Sequence, residues 1–143
     1  MRLATVVAFA LVCLAAGASA TEAVGQQAPG RVVAVDGGGE YRDIIVPELQ
    51  AMLQSKNFPL VNVHVPYAGD IPLTDASIRY DEIASHLDQL PADKNAPIVL
   101  YCRTGPMSQR AARDLVGLGY TNVYQLVGGF TAWVKAGLPL ERN

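Results

Sequence analysis

The run Pro97 to Tyr101 (PIVLY) restricts the fold of this chain more than any other stretch of its sequence. It is almost wholly apolar, and such a short run is typical of a strand buried on both faces of a parallel sheet. Segments with strand and helix patterns alternate on either side of it. The sequence therefore predicts an α/β domain with a doubly wound, mainly parallel sheet flanked by helices. The expected strands are 31–35, 60–65, 97–101 and 122–126, and the expected helices are 47–55, 80–90, 108–118 and 130–136.

Length and composition favour one domain. The chain has 143 residues, of which 50% are hydrophobic and 17% are charged, which is enough apolar material for one core. We expect a single domain over residues 31–143. Residues 21–30, which are small, polar and contain Gly and Pro, are expected to form a flexible lead-in.

Residues 1–20 are typical of a secretory signal peptide. Met1-Arg2 is a short basic start, Leu3 to Ala16 is an apolar run, and Ala18-Ser19-Ala20 is a small-x-small cleavage site. We therefore expect cleavage after Ala20 and a periplasmic or secreted mature protein. A lipoprotein signal at Cys13 is the alternative, although Gly or Ala normally precedes such a cysteine and Val12 stands there.

Charge and cysteine content limit the partners. The formal net charge is −2 and no basic cluster is present, so neither nucleic acid nor an anionic membrane is an expected partner. Once residues 1–20 are removed, Cys102 is the only cysteine. An unpaired cysteine in an exported protein points to a reactive thiol or an intermolecular disulfide. A buried cysteine that acts as a small apolar side chain is equally consistent with the composition.

Cys102 directly follows the apolar strand, at the sheet edge where α/β proteins bind ligands. The segment up to Met107 turns the chain into a helix that we expect to start near Ser108, with the serine as its cap. Gly105 allows backbone angles that other residues avoid. The N–H groups of such a turn and the positive end of the helix form a site for an anion. A thiol there, beside a cation such as Arg103, is favoured as the thiolate.

Several short motifs follow one another along the chain. They are Leu60-Val-Asn-Val-His64, Ala68-Gly-Asp-Ile-Pro72, Cys102-Arg-Thr-Gly-Pro-Met-Ser108, Gly117-Leu-Gly-Tyr120 then Val123, and Val127-Gly-Gly-Phe-Thr-Ala-Trp133 then Gly137-Leu-Pro139. The third resembles the active-site loop of rhodanese-type sulfurtransferases, and the last resembles their Leu-x-Gly-Gly-x-x-x-Trp signature. The resemblance covers about residues 40 to 140 and implies the rhodanese-like α/β fold.

The same resemblance implies sulfur transfer through a persulfide. In that family the loop cysteine takes a sulfane sulfur from a donor such as thiosulfate and passes it to cyanide or a thiol. By this resemblance Cys102 is the catalytic nucleophile, and no metal or other cofactor is implied. The backbone N–H groups of the loop would hold the outer sulfur, and Arg103 either attracts an oxyanion donor or is a solvated loop residue. The substrate-binding loop comprises Arg103, Thr104, Gly105, Pro106, Met107 and Ser108.

Two positions in the expected strand 60–65 depart from the family pattern. Asn62 stands where the family usually has Asp, and His64 stands where it usually has Arg. Asn and His can keep hydrogen bonds but cannot form a permanent charge pair. Both residues are candidates for substrate or loop support. His64 either helps to bind an anion when protonated or only ties the following loop in place, and we favour the second interpretation.

Other positions in the motifs are expected to be structural. Asp70 stands where the family has His, and we expect it on the loop surface. Trp133 is expected to pack against the sheet. Gly128 and Gly129 are expected to allow a close backbone approach beside the Cys102 loop.

Three functions are alternatives to sulfurtransferase activity. A phosphatase of this fold needs an arginine six residues after the cysteine to clamp phosphate. Ser108 stands there, and Arg110 follows on the expected outer face of the helix, so this alternative is disfavoured. A stronger one is a persulfide carrier or binding partner that relays sulfur to other exported proteins. A degenerate domain that binds only anions or proteins is disfavoured by the retained Cys102. The expected partners are a small sulfur-containing anion and a cyanide or thiol acceptor, or a protein acceptor for the carrier.

Overall fold

The computed structural model describes residues 27–142. The predicted signal peptide, Cys13 and residues 21–26 of the predicted lead-in lie outside this range. The end of the lead-in is bonded to the domain. The Gly30 N–H donates to Glu48 (3.0 Å), and the Gly30 carbonyl oxygen accepts from Arg42 (3.2 Å).

Six strands form one sheet: β1 (Arg31–Ala34), β2 (Glu40–Ile44), β3 (Leu60–Asn62), β4 (Ala76–Ser77), β5 (Ile98–Tyr101) and β6 (Val123–Leu126). Their order is β1-β2-β6-β5-β3-β4. β1 runs antiparallel to β2 at one edge, and every other pairing is parallel. All four residues of β5 are buried, because β5 lies between β6 and β3 and both of its faces are covered.

Helices cover both faces of the sheet. They are α1 (Val46–Gln54), α2 (Pro106–Gly117) and α3 (Gly129–Lys135). α2 buries Ala111 and Leu115 in the core on one face, whereas α1 and α3 bury Leu49 and Trp133 in the core on the other. The predicted doubly wound, mainly parallel sheet is confirmed. Within residues 27–142, no helix is long and apolar enough to cross a membrane.

The predicted helix at 80–90 is wrong. Two single 3₁₀ turns, Ile83–Ser85 and Leu87–Gln89, occupy this segment. The apolar spacing is correct, since Ile83 and Leu90 are both buried. Two short turns are sufficient to bury these side chains, and Ser85 at the end of the first turn and His86 between the turns have weak helix propensity. A short isolated helix is itself marginal without more extensive packing.

β2 was not predicted, because its two buried residues, Tyr41 and Ile44, are three positions apart and do not show the period of two of a half-buried strand. The segment Asp36-Gly-Gly-Gly39 connects β1 to β2, with positive φ angles at Gly37, Gly38 and Gly39.

Two elements end earlier than predicted. β3 ends at Asn62 rather than at residue 65, because the Asn62 side-chain oxygen accepts the His64 N–H (3.0 Å) and turns the chain out of the sheet. α2 ends at Gly117, and Gly119 follows with φ +95°. Leu118, the last residue of the predicted helix, therefore lies beyond α2 and is 37% exposed.

Candidate active site

The carboxyl ends of three adjacent parallel strands meet at one edge of the sheet. Cys102 follows the end of β5, His64 follows β3, and Gly128 and Gly129 connect β6 to α3. The residues that the sequence analysis proposed as a site are therefore brought together by the sheet order. This is the edge at which open α/β sheets bind ligands.

Cys102 lies at the floor of the loop and is only 1% exposed as a residue. The Gly105 N–H donates to Sγ (3.0 Å), and the Ser108 hydroxyl oxygen lies 3.5 Å from it. Gly105 has φ +131°, a conformation that a residue with a side chain rarely adopts. This backbone conformation points the Gly105 amide at the sulfur.

α2 begins at Pro106, two residues before the predicted start at Ser108. Proline suits the first position of a helix, because its N–H group is missing and that position has no intrahelical acceptor. Ser108 is therefore not the cap. Its hydroxyl lies in the first turn, within donating distance of the Gly105 carbonyl oxygen (2.9 Å) and of the Gln125 side-chain oxygen (2.9 Å). The N–H groups of Met107 and Ser108 belong to the first turn and have no acceptor in the helix, whereas Pro106 offers none.

α3 orients the peptide groups on the other side of the loop. The Phe130 N–H donates to the Cys102 carbonyl oxygen (2.9 Å), and the Thr131 N–H donates to that of Arg103 (3.0 Å). In a trans peptide the N–H points opposite to the C=O. The N–H groups of Arg103 and Thr104 therefore point away from α3.

Gly129 makes this arrangement possible. A Cβ atom at this position would overlap the carbonyl groups of Cys102 and Arg103, and one at Gly128 would lie 2.7 Å from Cβ of Ala132. Both glycines also have positive φ angles, 76° and 55° in chain order. The predicted close backbone approach beside the Cys102 loop is confirmed.

The loop side chains divide between solvent and core. Arg103, Thr104 and Pro106 are exposed, whereas Met107 packs partly against the core. Arg103 lines a groove of about 420 Å³ next to the loop. Two further cations, Lys135 and Arg142, line the same groove, and no ion pair within residues 27–142 involves any of the three. The groove is completed by Ala68, Phe130, Thr131, Val134 and Leu140.

His64 lies beside the loop, next to Phe130 and near the Arg103 cation. The ring packs edge-on against Phe130, with centroids 5.5 Å apart, and no partner for the buried Nδ1 is found within the described range. Burial, and secondarily the nearby Arg103 cation, lowers the pKa of His64 below its usual value. At neutral pH the imidazole is therefore neutral and carries no charge that could attract an anion.

Asp70 is not on the loop surface, as the sequence suggested, but is buried at 9% exposure. Its carboxylate accepts hydrogen bonds from Asn62 Nδ2 (2.8 Å), the Tyr67 hydroxyl (3.0 Å) and the Tyr101 hydroxyl (3.2 Å). Burial raises the pKa of Tyr101, so its hydroxyl keeps its proton and can donate. Asp70 and Asn62 thus fasten the loop after β3 to the end of β5.

We expect Asp70→Ala to reduce the free energy of unfolding by about 2–3 kcal/mol, because three buried or half-buried donors lose their common acceptor. Asp70→Asn is the matched control. Its amide oxygen still accepts from Asn62, and the Tyr67 hydroxyl can reverse and accept from its NH₂ group, so the loss should be about 1 kcal/mol. Urea unfolding measures both. Equal losses in the two variants would show that the carboxylate does not organise this loop.

Two expectations about neighbouring residues are confirmed. Trp133 is buried against the sheet, and its indole N–H donates to the Pro139 carbonyl oxygen (2.8 Å). Arg110 lies on the outer face of α2, with its guanidinium over the Tyr80 ring at 5.2 Å. It does not reach the loop as the phosphate clamp of a phosphatase would.

Among residues 27–142, no three His, Cys, Asp or Glu side chains gather as a metal site.

Comparison with known proteins identifies the family of this fold. The model of the rhodanese-like domain family matches residues 46–136. The chain is 35% identical over 105 residues to thiosulfate sulfurtransferase GlpE of Vibrio cholerae serotype O1, covering 72% of this chain and 97% of that protein. It is 30% identical over 104 residues to thiosulfate sulfurtransferase 16, chloroplastic, of Arabidopsis thaliana, covering 73% and 81%. The human single-domain sulfurtransferase TSTD1 superposes with a TM-score of 0.57 at 26% identity, covering 65% of this chain and 95% of that one.

The chain belongs to the rhodanese-like domain family. The match spans more than half of the chain and includes both the Cys102 loop and the glycine pair before α3. The protein is a rhodanese-type sulfurtransferase. The family and the enzyme class that the sequence motifs indicated are thereby confirmed.

Proposed function

We propose that Cys102 is the nucleophile that carries a sulfane sulfur from an anionic donor such as thiosulfate to cyanide or a thiol. The observation that carries the proposal is the position of its sulfur, beneath the Gly105 N–H at the start of α2. Peptide N–H groups and the positive end of a helix stabilise negative charge. Such surroundings suit the negative charge of the attacking sulfur and of the persulfide formed from it.

The reaction balances without an added oxidant or reductant. The Cys102 thiolate attacks the outer sulfur of thiosulfate, an S–S bond forms, and sulfite leaves with the electron pair of the broken bond. The acceptor then attacks the outer sulfur of the persulfide. The new bond forms at that atom, and the thiolate of Cys102 is regenerated as the leaving group.

The loop amides are suited to hold the outer sulfur between the two steps. That atom carries the negative charge of a persulfide. The N–H groups of Arg103, Thr104, Met107 and Ser108 line the loop, and none of them has an acceptor within α2. Pro106 does not take part in this way, because it has no N–H. The role is electrostatic, so it needs no titrating side chain.

The groove beside the loop supports an anionic donor. Arg103, Lys135 and Arg142 give it positive charge on a chain whose formal net charge is −2. A cleft lined with one sign of charge concentrates ligands of the opposite sign. Arg103 is the cation of this set that lies on the active loop itself, and we propose that it attracts the oxyanion end of the donor.

Intact mass of the protein before and after thiosulfate, together with release of thiocyanate in the presence of cyanide, tests the proposal. We expect an adduct of one sulfur atom on Cys102 and rapid turnover. An adduct without turnover would make the protein a persulfide carrier instead. Without either adduct or turnover, the proposed chemistry is wrong.

His64 is expected to act as a structural residue rather than as an anion-binding cation. Because its pKa is lowered, its charged form appears only at acidic pH. The Michaelis constants for thiosulfate of wild type and His64→Gln should therefore change in parallel from about pH 6 to about pH 8.5. An essential imidazolium contact would instead give a difference of roughly five- to thirtyfold at the acidic end that closes as the pH rises.

Export completes the proposal and rests on the sequence of residues 1–20. We expect the mature chain to begin at Thr21 in a periplasmic or secreted fraction. N-terminal sequencing of the protein from fractionated cells measures this. Full-length protein in the cytosol, or lipid on Cys13, would contradict it.

A further inference from the structure

A series of hydrogen-bonded polar side chains runs from Cys102 to Arg31 in β1, an edge strand of the sheet. The Ser108 hydroxyl oxygen lies 3.5 Å from Cys102 Sγ and 2.9 Å from the side-chain oxygen of Gln125. The Gln125 NH₂ group donates to Asp43, whose other oxygen accepts from Arg31 (2.8 Å). Ser108 and Gln125 are fully buried. The proposed role of the loop amides does not explain this series of buried hydrogen bonds.

Asp43 determines how the Gln125 amide is turned. An ionised carboxylate can only accept hydrogen bonds, so the amide must present its NH₂ group to Asp43. Its carbonyl oxygen then faces Ser108. In the part of the chain that the structure describes, the Ser108 hydroxyl is the donor found for that buried oxygen.

The Ser108 hydroxyl has one hydrogen but three neighbours that can accept it. The first is the Gly105 carbonyl oxygen, which already accepts the Gln109 N–H (2.9 Å). The second is Gln125. The third is the sulfur of Cys102 when it is a thiolate. Leaving a buried acceptor without its donor is unfavourable, so Gln125 competes with the thiolate for the hydrogen.

We propose that Gln125, oriented by Asp43, is a positioning residue that keeps the Ser108 hydroxyl hydrogen turned away from the Cys102 sulfur. This rests on the proposed role of Cys102 as the nucleophile. The sulfur then receives the Gly105 N–H but not a second strong donor. A thiolate with fewer hydrogen bonds is more basic and is the stronger nucleophile, although a smaller fraction of it is present at low pH.

The pH dependence of Cys102 alkylation by iodoacetamide tests this. Gln125→Leu keeps the approximate size of the side chain but removes the competing acceptor that has no other donor. The Gly105 carbonyl oxygen still accepts the Gln109 N–H, so the hydroxyl can turn to the thiolate without leaving that oxygen unpaired. One gained hydrogen bond to a charged group should raise the alkylation rate at about pH 6 by about tenfold and lower the plateau rate at high pH. Gln89→Leu, which changes an exposed amide away from the loop, should leave the profile unchanged.

A second background separates an effect through the hydroxyl from a general structural effect. In Ser108→Ala there is no hydroxyl to redirect, so adding Gln125→Leu should not change the alkylation profile of that variant. The proposal is overturned if Gln125→Leu alone has the wild-type profile. A shift of the same size in the Ser108→Ala background would overturn it too.

Gln125→Leu leaves one Asp43 oxygen without its partner, which could weaken the fold. Replacing both partners is better tolerated than replacing one, so Asp43→Ala combined with Gln125→Leu provides a second test and should show the same shift. A folded double variant with the wild-type profile would contradict the proposal. Alkylation reports on the thiol alone. If the wild-type protein fails to transfer sulfur, the proposed function is wrong. The alkylation profiles would still show whether Gln125 acts on the Cys102 sulfur through Ser108.

Discussion

Cys102→Ser is expected to reduce sulfur transfer by at least about a thousandfold, because a serine hydroxyl cannot hold a sulfane sulfur and no second cysteine lies in residues 27–142. The fold should be retained. The serine oxygen is smaller than sulfur but can accept the Gly105 N–H in the same place, so the free energy of unfolding should change by about 1 kcal/mol or less.

Thiocyanate release and urea unfolding of the same preparation check both parts of this prediction. A serine variant with a tenth of the wild-type turnover would show that Cys102 is not the nucleophile. If the variant is inactive and unfolded, the activity loss has no bearing on the chemistry. Its intact mass should not change after incubation with thiosulfate.

Gly129→Ala is expected to be the most destabilising single substitution near the site, with a loss of about 3–5 kcal/mol in the free energy of unfolding. The added Cβ would overlap the carbonyl groups of Cys102 and Arg103, which are backbone atoms and have no rotamer to change. Relief requires that α3 move away from the loop. The hydrogen bonds from Phe130 and Thr131 would then lengthen, so sulfur transfer should fall as well.

Gly137→Ala is the matched control, because Gly137 also has a positive φ angle, 81°, but a Cβ there would have no atom within 4 Å. It should lose only the conformational penalty of about 1–2 kcal/mol. The difference between the two alanine variants, measured by urea unfolding, isolates the overlap. Similar losses would mean that α3 adapts without difficulty and that Gly129 is required for its backbone angle alone.

Features that depend on local pattern were predicted from the sequence. The buried run of β5 indicated a central parallel strand, and the sheet order then brought Cys102 and His64 to one edge. The adjacent glycines before α3 indicated a close backbone approach. In each case a short stretch of chain contains the physical constraint, so that no knowledge of distant residues is needed.

Features that depend on distant partners were not predicted. The hydrogen bond between Asp43 and Gln125 joins residues 82 positions apart, and that between Asp70 and Tyr101 joins residues 31 apart. A polar residue is expected at the surface until its buried partners are known, and the partners of Asp70 lie on two different elements. The one sequence signal that Asp70 has a structural role was its position after Gly69 in the motif Ala68-Gly-Asp-Ile-Pro72. The 3₁₀ turns at 83–89 were missed for a related reason, since burial of Ile83 is compatible with either kind of helix.

The enclosure of Cys102 also limits what it can be cross-linked to. A disulfide requires the two Cα atoms to approach within about 7 Å. Cys102 is 1% exposed beneath its own loop, so it does not admit the cysteine of a second folded protein. Two copies of this chain should therefore stay unlinked under oxidising conditions. A persulfide extends about 2 Å beyond the cysteine sulfur. An acceptor protein would therefore contact the outer sulfur and not Cys102 itself.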